Sequence, residues 1–92
     1  MKDTNELKKM ICREYGISLY EFDSQFKYGN IPQARQLFCL ALKDSGMSVT
    51  EISNITGFSI PRVSMTINAG ETLCDKIPFF KLRREGIAKI FS

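Results

Sequence analysis

Ninety-two residues, 43% hydrophobic and 25% charged, are the composition of one soluble globular domain, long enough to bury roughly 60–65% of its unfolded surface. The formal net charge of +3 is too small to name a polyanionic partner by itself. Cys12, Cys39 and Cys74 are widely spaced, no C-x-x-C occurs and there is no histidine, which argues against a disulfide framework or a zinc site.

Asp3 to Tyr15 reads as an amphipathic helix, with Asp3 and Glu6 at capping-box spacing and Leu7, Met10, Ile11 and Tyr15 on one face. Gly16 ends it. Ser18 and Glu21 form a second capping-box pair that starts a short helix with Leu19 and Phe22 inward. Asp23 to Ile31 has turn chemistry and no period, so it reads as a loop with Lys27 its lone cation after Asp23 and with Phe26 and Tyr28 either core anchors, the preferred reading, or exposed DNA contacts. Pro32 suits a first helical turn, and the helix from there to about Ser45 is the most apolar. Ala34, Leu37, Phe38, Ala41 and Leu42 share one side of it, Cys39 and Leu40 widen that side, and Arg35, Gln36 and Lys43 lie elsewhere.

Gly46 stops this core helix, and Ser48 with Glu51 caps the next. Val49 to Asn68 then reads as helix, tight turn, helix, giving a helix-turn-helix at about 49–69. Ile52 and Ile55 give its first helix an apolar side. Gly57 supplies the positive φ of the turn, Phe58 drops into the core and Ser59 caps the second helix, whose Val63 and Ile67 face inward. Gly70 is the expected stop or weak point, with Glu71 to Ile77 a further helical turn or two. Pro78 precedes a basic last helix, about 79–91, with Leu82, Ile87 and Ile90 apolar and Lys81, Arg83, Arg84 and Lys89 basic. Its apolar face packs either on the core or on a second copy. Gly86 argues against its continuity. The fold class is all-α, one domain over 1–92 with six or so helices.

Acids are absent from two stretches, Ser24 to Lys43 and Ile52 to Gly70, and the second covers most of the helix-turn-helix. In such a motif the second helix enters the major groove and its first residues reach base edges. That makes Ser59, Ile60, Pro61, Arg62, Ser64 and Met65 the candidate base contacts. Arg62 suits guanine O6 and N7, Ser64 a base or phosphate, and Ile60 and Met65 thymine methyls. The blander reading is an αα-corner with a solvated Arg62. Lys27, Arg35, Gln36 and Lys43 are candidates for the DNA backbone or minor groove.

Residues from about Met10 to Ala69 resemble the C-terminal DNA-binding domain of the bacterial replication initiator DnaA. The matching stretches are EYGISLYEF ahead of a loop and ARQLFCLALKDSGMSVTEISNITG, with Ala34-Arg35-Gln36 and Ser48-x-x-Glu51-Ile52 the specific matches. The resemblance implies a Trp-repressor-like helical domain, Lys27 in a loop that reaches the minor groove, and Arg35 and Gln36 where phosphates are held. The reading helix departs from it: the family's Asp-His-Thr-Thr is absent, and the helix begins Ser59-Ile60-Pro61-Arg62-Val63-Ser64. GFSIPRVSMTIN is more similar to LacI- or Cro-type repressor helices, which implies a different DNA site.

The expected function is sequence-specific binding of double-stranded DNA in replication or transcription control. A protein-interaction module on the same scaffold is the alternative. No phosphate loop, paired-carboxylate signature or metal-ligand spacing occurs, so neither catalysis, cofactor nor metal is expected. No signal peptide or ~20-residue apolar run is present either. A cytoplasmic, nucleoid-associated bacterial or phage protein follows, as a homodimer or within a larger replication or transcription assembly.

Overall fold

The computed structural model describes residues 3–91; Met1, Lys2 and Ser92, the ends of the expected domain, lie outside the described residues. Six helices follow one another: α1 (Thr4–Tyr15), α2 (Leu19–Asp23), α3 (Ile31–Asp44), α4 (Val49–Thr56), α5 (Ile60–Lys76) and α6 (Pro78–Phe91). Among the described residues there is no strand, and no helix is long and apolar enough to cross a membrane. The all-α class is as expected. The Cα radius of gyration of 11.8 Å is close to the ~12 Å of one compact unit this long.

The helix starts follow the side-chain chemistry. The Ser18 and Ser48 hydroxyls each accept from the backbone N–H of the glutamate three residues on, and that glutamate's carboxylate accepts from the serine's own N–H. Asp3 caps α1 one-sidedly, accepting from the backbone of Asn5 and Glu6.

α3 packs against all five other helices. Leu37, Leu40 and Leu42 are fully or almost fully buried, because contacts with five helices leave the middle of α3 little surface for water. Leu7, Ile11 and Cys12 of α1, Phe22 of α2, Ile52 of α4, Val63 and Ile67 of α5 and Phe80, Ile87 and Phe91 of α6 complete the core.

Three local expectations are corrected. Gly70 does not stop a helix; it lies inside α5, where a Cβ would stand 2.7 Å from Leu40 Cδ1 and 3.4 Å from Gln36 Cβ. Its lack of a side chain lets α5 cross α3 closely. Next, α6 runs unbroken through Gly86 and turns Phe80, Ile87 and Phe91 inward, while Leu82 is 62% and Ile90 52% exposed. The inward row starts at Phe80, one residue later than a face that includes Leu82 and Ile90 requires. Finally, Leu19, Ile55, Phe26 and Tyr28 are exposed, so the loop is not anchored by its own aromatics.

One ion-pair cluster joins three helices. Arg84 of α6 bonds both oxygens of Asp44, at 2.8 and 2.9 Å, and reaches Glu71 of α5 at 2.9 Å. These bonds hold the Glu71 carboxyl below its ordinary range.

Candidate nucleic-acid interface

The turn between α4 and α5 is fixed from within. Gly57 takes φ 78°, and its N–H donates to the Ser53 carbonyl at 2.9 Å. Only glycine adopts this left-handed conformation freely. The Thr56 hydroxyl donates to the Ile52 carbonyl at 2.8 Å and accepts from the Phe58 N–H at 3.1 Å. Ser53 donates its hydroxyl proton to the Phe58 carbonyl. Phe58 is thereby seated in the core, only 6% exposed. The Ser59 hydroxyl accepts from the Arg62 N–H at 3.3 Å and opens α5.

Val63 and Ile67 take the inward side of α5. Ser59, Ile60, Pro61 and Met65 are exposed, and Arg62 and Ser64 are half-buried. The Arg62 guanidinium carbon lies over the Phe58 ring, 3.9 Å from its centroid. A guanidinium on a ring face keeps its in-plane N–H groups available while its side chain loses freedom. The turn residue that anchors the motif in the core also positions its principal cation.

The loop, α3 and α5 enclose a shallow groove of about 260 Å³. Lys27, Arg35, Gln36, Arg62, Met65 and Thr66 are among the residues that border it, and no carboxylate does. Lys27 and Arg62 make no ion pair among the described residues. The groove is therefore electropositive, with Lys27 and Arg62 unpaired by any carboxylate among the described residues. Gln36 Oε1 is buried beside it without a hydrogen bond inside the chain. Phe26 and Tyr28 stand on either side of Lys27 in sequence, their ring centroids 5.4 Å apart, and Phe26 meets Tyr20 edge-on at 6.5 Å.

Arg35 is the main correction among the candidate contacts. It is 4% exposed. Its Nε donates to the Phe22 carbonyl at 2.9 Å, Nη1 to that of Phe26 at 2.7 Å, and Nη2 to those of Glu21, at 3.2 Å, and Ser24. Carbonyls at a helix C-terminus lack partners within the helix, and here a cation from α3 supplies the donors. Arg35 thus closes α2 and carries the loop that bears Lys27. Burial first, then the neighbouring Arg62, lowers its pKa from the usual arginine range. Four of the five guanidinium N–H groups are thus spent on backbone carbonyls, where the Ala-Arg-Gln match suggested a phosphate contact.

Lys43 is also set apart. It lies 3.5 Å from Glu71, in the Arg84 cluster at the other end of α3. Lys27, Gln36, Arg62 and Met65 are thus brought together around one groove, Ser59, Ile60, Pro61 and Ser64 continue along the same helix, and Lys43 does not join them. The sequence reading missed the Phe58 platform; the Phe-x-x-x-Arg spacing was its available signal. Among the described residues no group of three or more His, Cys, Asp or Glu is placed to hold a metal. Comparisons with protein-family models, curated proteins and solved structures gave no match to this chain.

Proposed function

We propose that this domain binds double-stranded DNA sequence-specifically, with the start of α5 in the major groove and the Lys27 loop on the backbone or in the adjacent minor groove. The observation that carries this reading is the acid-free groove at which Arg62, held over Phe58, meets Lys27 and Gln36. A major groove about 12 Å wide admits one helix, and the first turns of α5 offer a bidentate donor, a hydroxyl and apolar groups. Arg62 reads guanine, Ser59 and Ser64 bond bases or phosphates, and Ile60, Pro61 and Met65 touch thymine methyls. Lys27 and Gln36 set register rather than sequence. The initiator-like scaffold with a repressor-like reading helix points to replication or transcription control at a site other than the initiator's, in a nucleoid-associated protein.

The test is a fluorescence titration after selection of a preferred site from random duplexes. Arg62→Ala is expected to cost ~1–3 kcal/mol on the preferred site and far less on random DNA. Equal losses on both would remove its base-reading role. The second reading, a protein-docking module, draws on the exposure of Ile60 and Met65, 48% and 71%. A mobility shift with pooled duplexes at low salt, where counterion release most favours DNA, separates the two. No retardation there would give the face to a protein partner.

A further inference from the structure

We infer that an exposed stripe of α6 is a self-association surface, on which two copies of this chain pair antiparallel about a two-fold axis at Gly86. Phe79, Leu82 and Ile90 are 76%, 62% and 52% exposed. At roughly 100° per residue they fall, with Gly86, in one stripe along the helix. It lies about 120° around the helix from the side that Phe80, Ile87 and Phe91 bury, and Gly86 and Ile90 border a groove against Met10 and Ile11 of α1.

Gly86 is the first reason to place a helix on this stripe. A glycine inside a helix is unfavourable, and nothing within the chain requires this one: a Cβ would meet no atom within 4 Å. Gly70 differs, since α3 occupies the space its Cβ would need. At Gly86 the missing side chain admits a helix that the chain itself does not supply. Leu82, Gly86 and Ile90 form a row at four-residue spacing, the ridge that interlocks with its own kind when two helices cross. A glycine at the centre of the row brings the axes to the short end of the ~8–10 Å range.

The second reason is charge, and it selects a second copy as the occupant. With the axis at Gly86, each residue faces the one equally far on the other side. Leu82 then opposes Ile90 of the other copy, and Ile90 opposes Leu82. Glu85 and Lys89 flank the stripe on the same side, and a two-fold axis brings like flanks together. Glu85 of each copy therefore comes within about one helical turn of Lys89 of the other, twice by symmetry. Neither forms an ion pair within its own chain among the described residues. A surface that complements itself in shape and in charge fits its own copy. The inference does not depend on the DNA reading.

The test is sedimentation velocity of the full chain up to about 1 mM, a range that captures weak association. Reversible dimers are expected. Gly86→Leu, at an exposed position, should leave the circular dichroism spectrum unchanged and weaken dimerisation at least ~10-fold. Glu85→Lys leaves two lysines on the flank and Lys89→Glu two glutamates, so each variant alone should stay monomeric. Mixing the two should restore dimers; since neither variant can make the pair within one helix, restoration reports the contact between chains. A wild-type chain that stays monomeric overturns the inference. So does self-association that Gly86→Leu and the charge variants leave unchanged, or a monomer that co-sediments with anionic vesicles through this face.

Discussion

Arg35→Met separates two roles that the sequence left mixed. In the structure the guanidinium serves the carbonyls of Glu21, Phe22, Ser24 and Phe26, and the bond to Phe22 is buried. A buried carbonyl deprived of a charged donor costs about 1.5–3 kcal/mol. The other three lie at part-buried positions where water can replace the donor, at about 0.5–1 kcal/mol each. The sum is about 3–6 kcal/mol, against a total stability of about 5–14 kcal/mol for a chain of this length. Urea denaturation followed by circular dichroism should show that loss, and the melting temperature should fall by more than about 12 °C. Arg35→Lys keeps the charge but not the fork that spans four carbonyls, and should lose at least about 2 kcal/mol. Hydrogen exchange in residues 24–30 should rise in both variants. If Arg35→Met instead stays within about 0.5 kcal/mol of wild type, Arg35→Lys binds DNA normally, and only Arg35→Met reduces the salt slope by about one unit, Arg35 is a phosphate contact and the brace is refuted.

The two helical glycines should respond to alanine with opposite signs in urea titrations at low protein concentration. Gly86→Ala should stabilise by about 1 kcal/mol, since its Cβ meets nothing, whereas Gly70→Ala should destabilise by about 1–2 kcal/mol as Leu40, fully buried, is forced to move. The Glu71 carboxyl is held below its ordinary value of 4.5 by the hydrogen bond from Arg84. A depressed folded-state pKa contributes stability that is present above about pH 4.5 and lost as the pH falls through the folded value. Unfolding titrations from about pH 6 to about pH 3 should show this loss, and Glu71→Gln should make it shallower. Burial pushes the Cys39 thiol up to about 12, and Cys12 and Cys74 are buried with it. A thiol reagent at neutral pH should leave the native chain unlabelled and modify all three cysteines after denaturation. Rapid labelling of the native chain would contradict the packing of α3.

The initiator-like match shows how far sequence reasoning reaches. Ser48-x-x-Glu51-Ile52 foretold a capping box and a helix start, because capping is settled within four residues by local hydrogen bonds. Ala34-Arg35-Gln36 foretold surface contacts, and at Arg35 the local pattern failed. Arginine is usually exposed, and only the approach of α2 and its C-terminal carbonyls makes a buried arginine worth its desolvation. Phe26 and Tyr28 failed in the opposite direction: aromatic residues in a loop suggest anchors, but Arg35 ties the loop down by its backbone and leaves the rings outside.

By itself the sequence determined the helix starts, the serine caps, the Gly57 turn and the apolar inward residues of α1, α3 and α5, since each depends on neighbours within about one turn of chain. Tertiary structure decided the rest. Gly70 became a crossing point because α3 lies against it, α6 took its register from Phe80, Ile87 and Phe91, and Arg62 came to rest on Phe58 beside Lys27 and Gln36. These outcomes depend on which helix arrives at a given surface, and close packing leaves each surface only one arrangement that fills it.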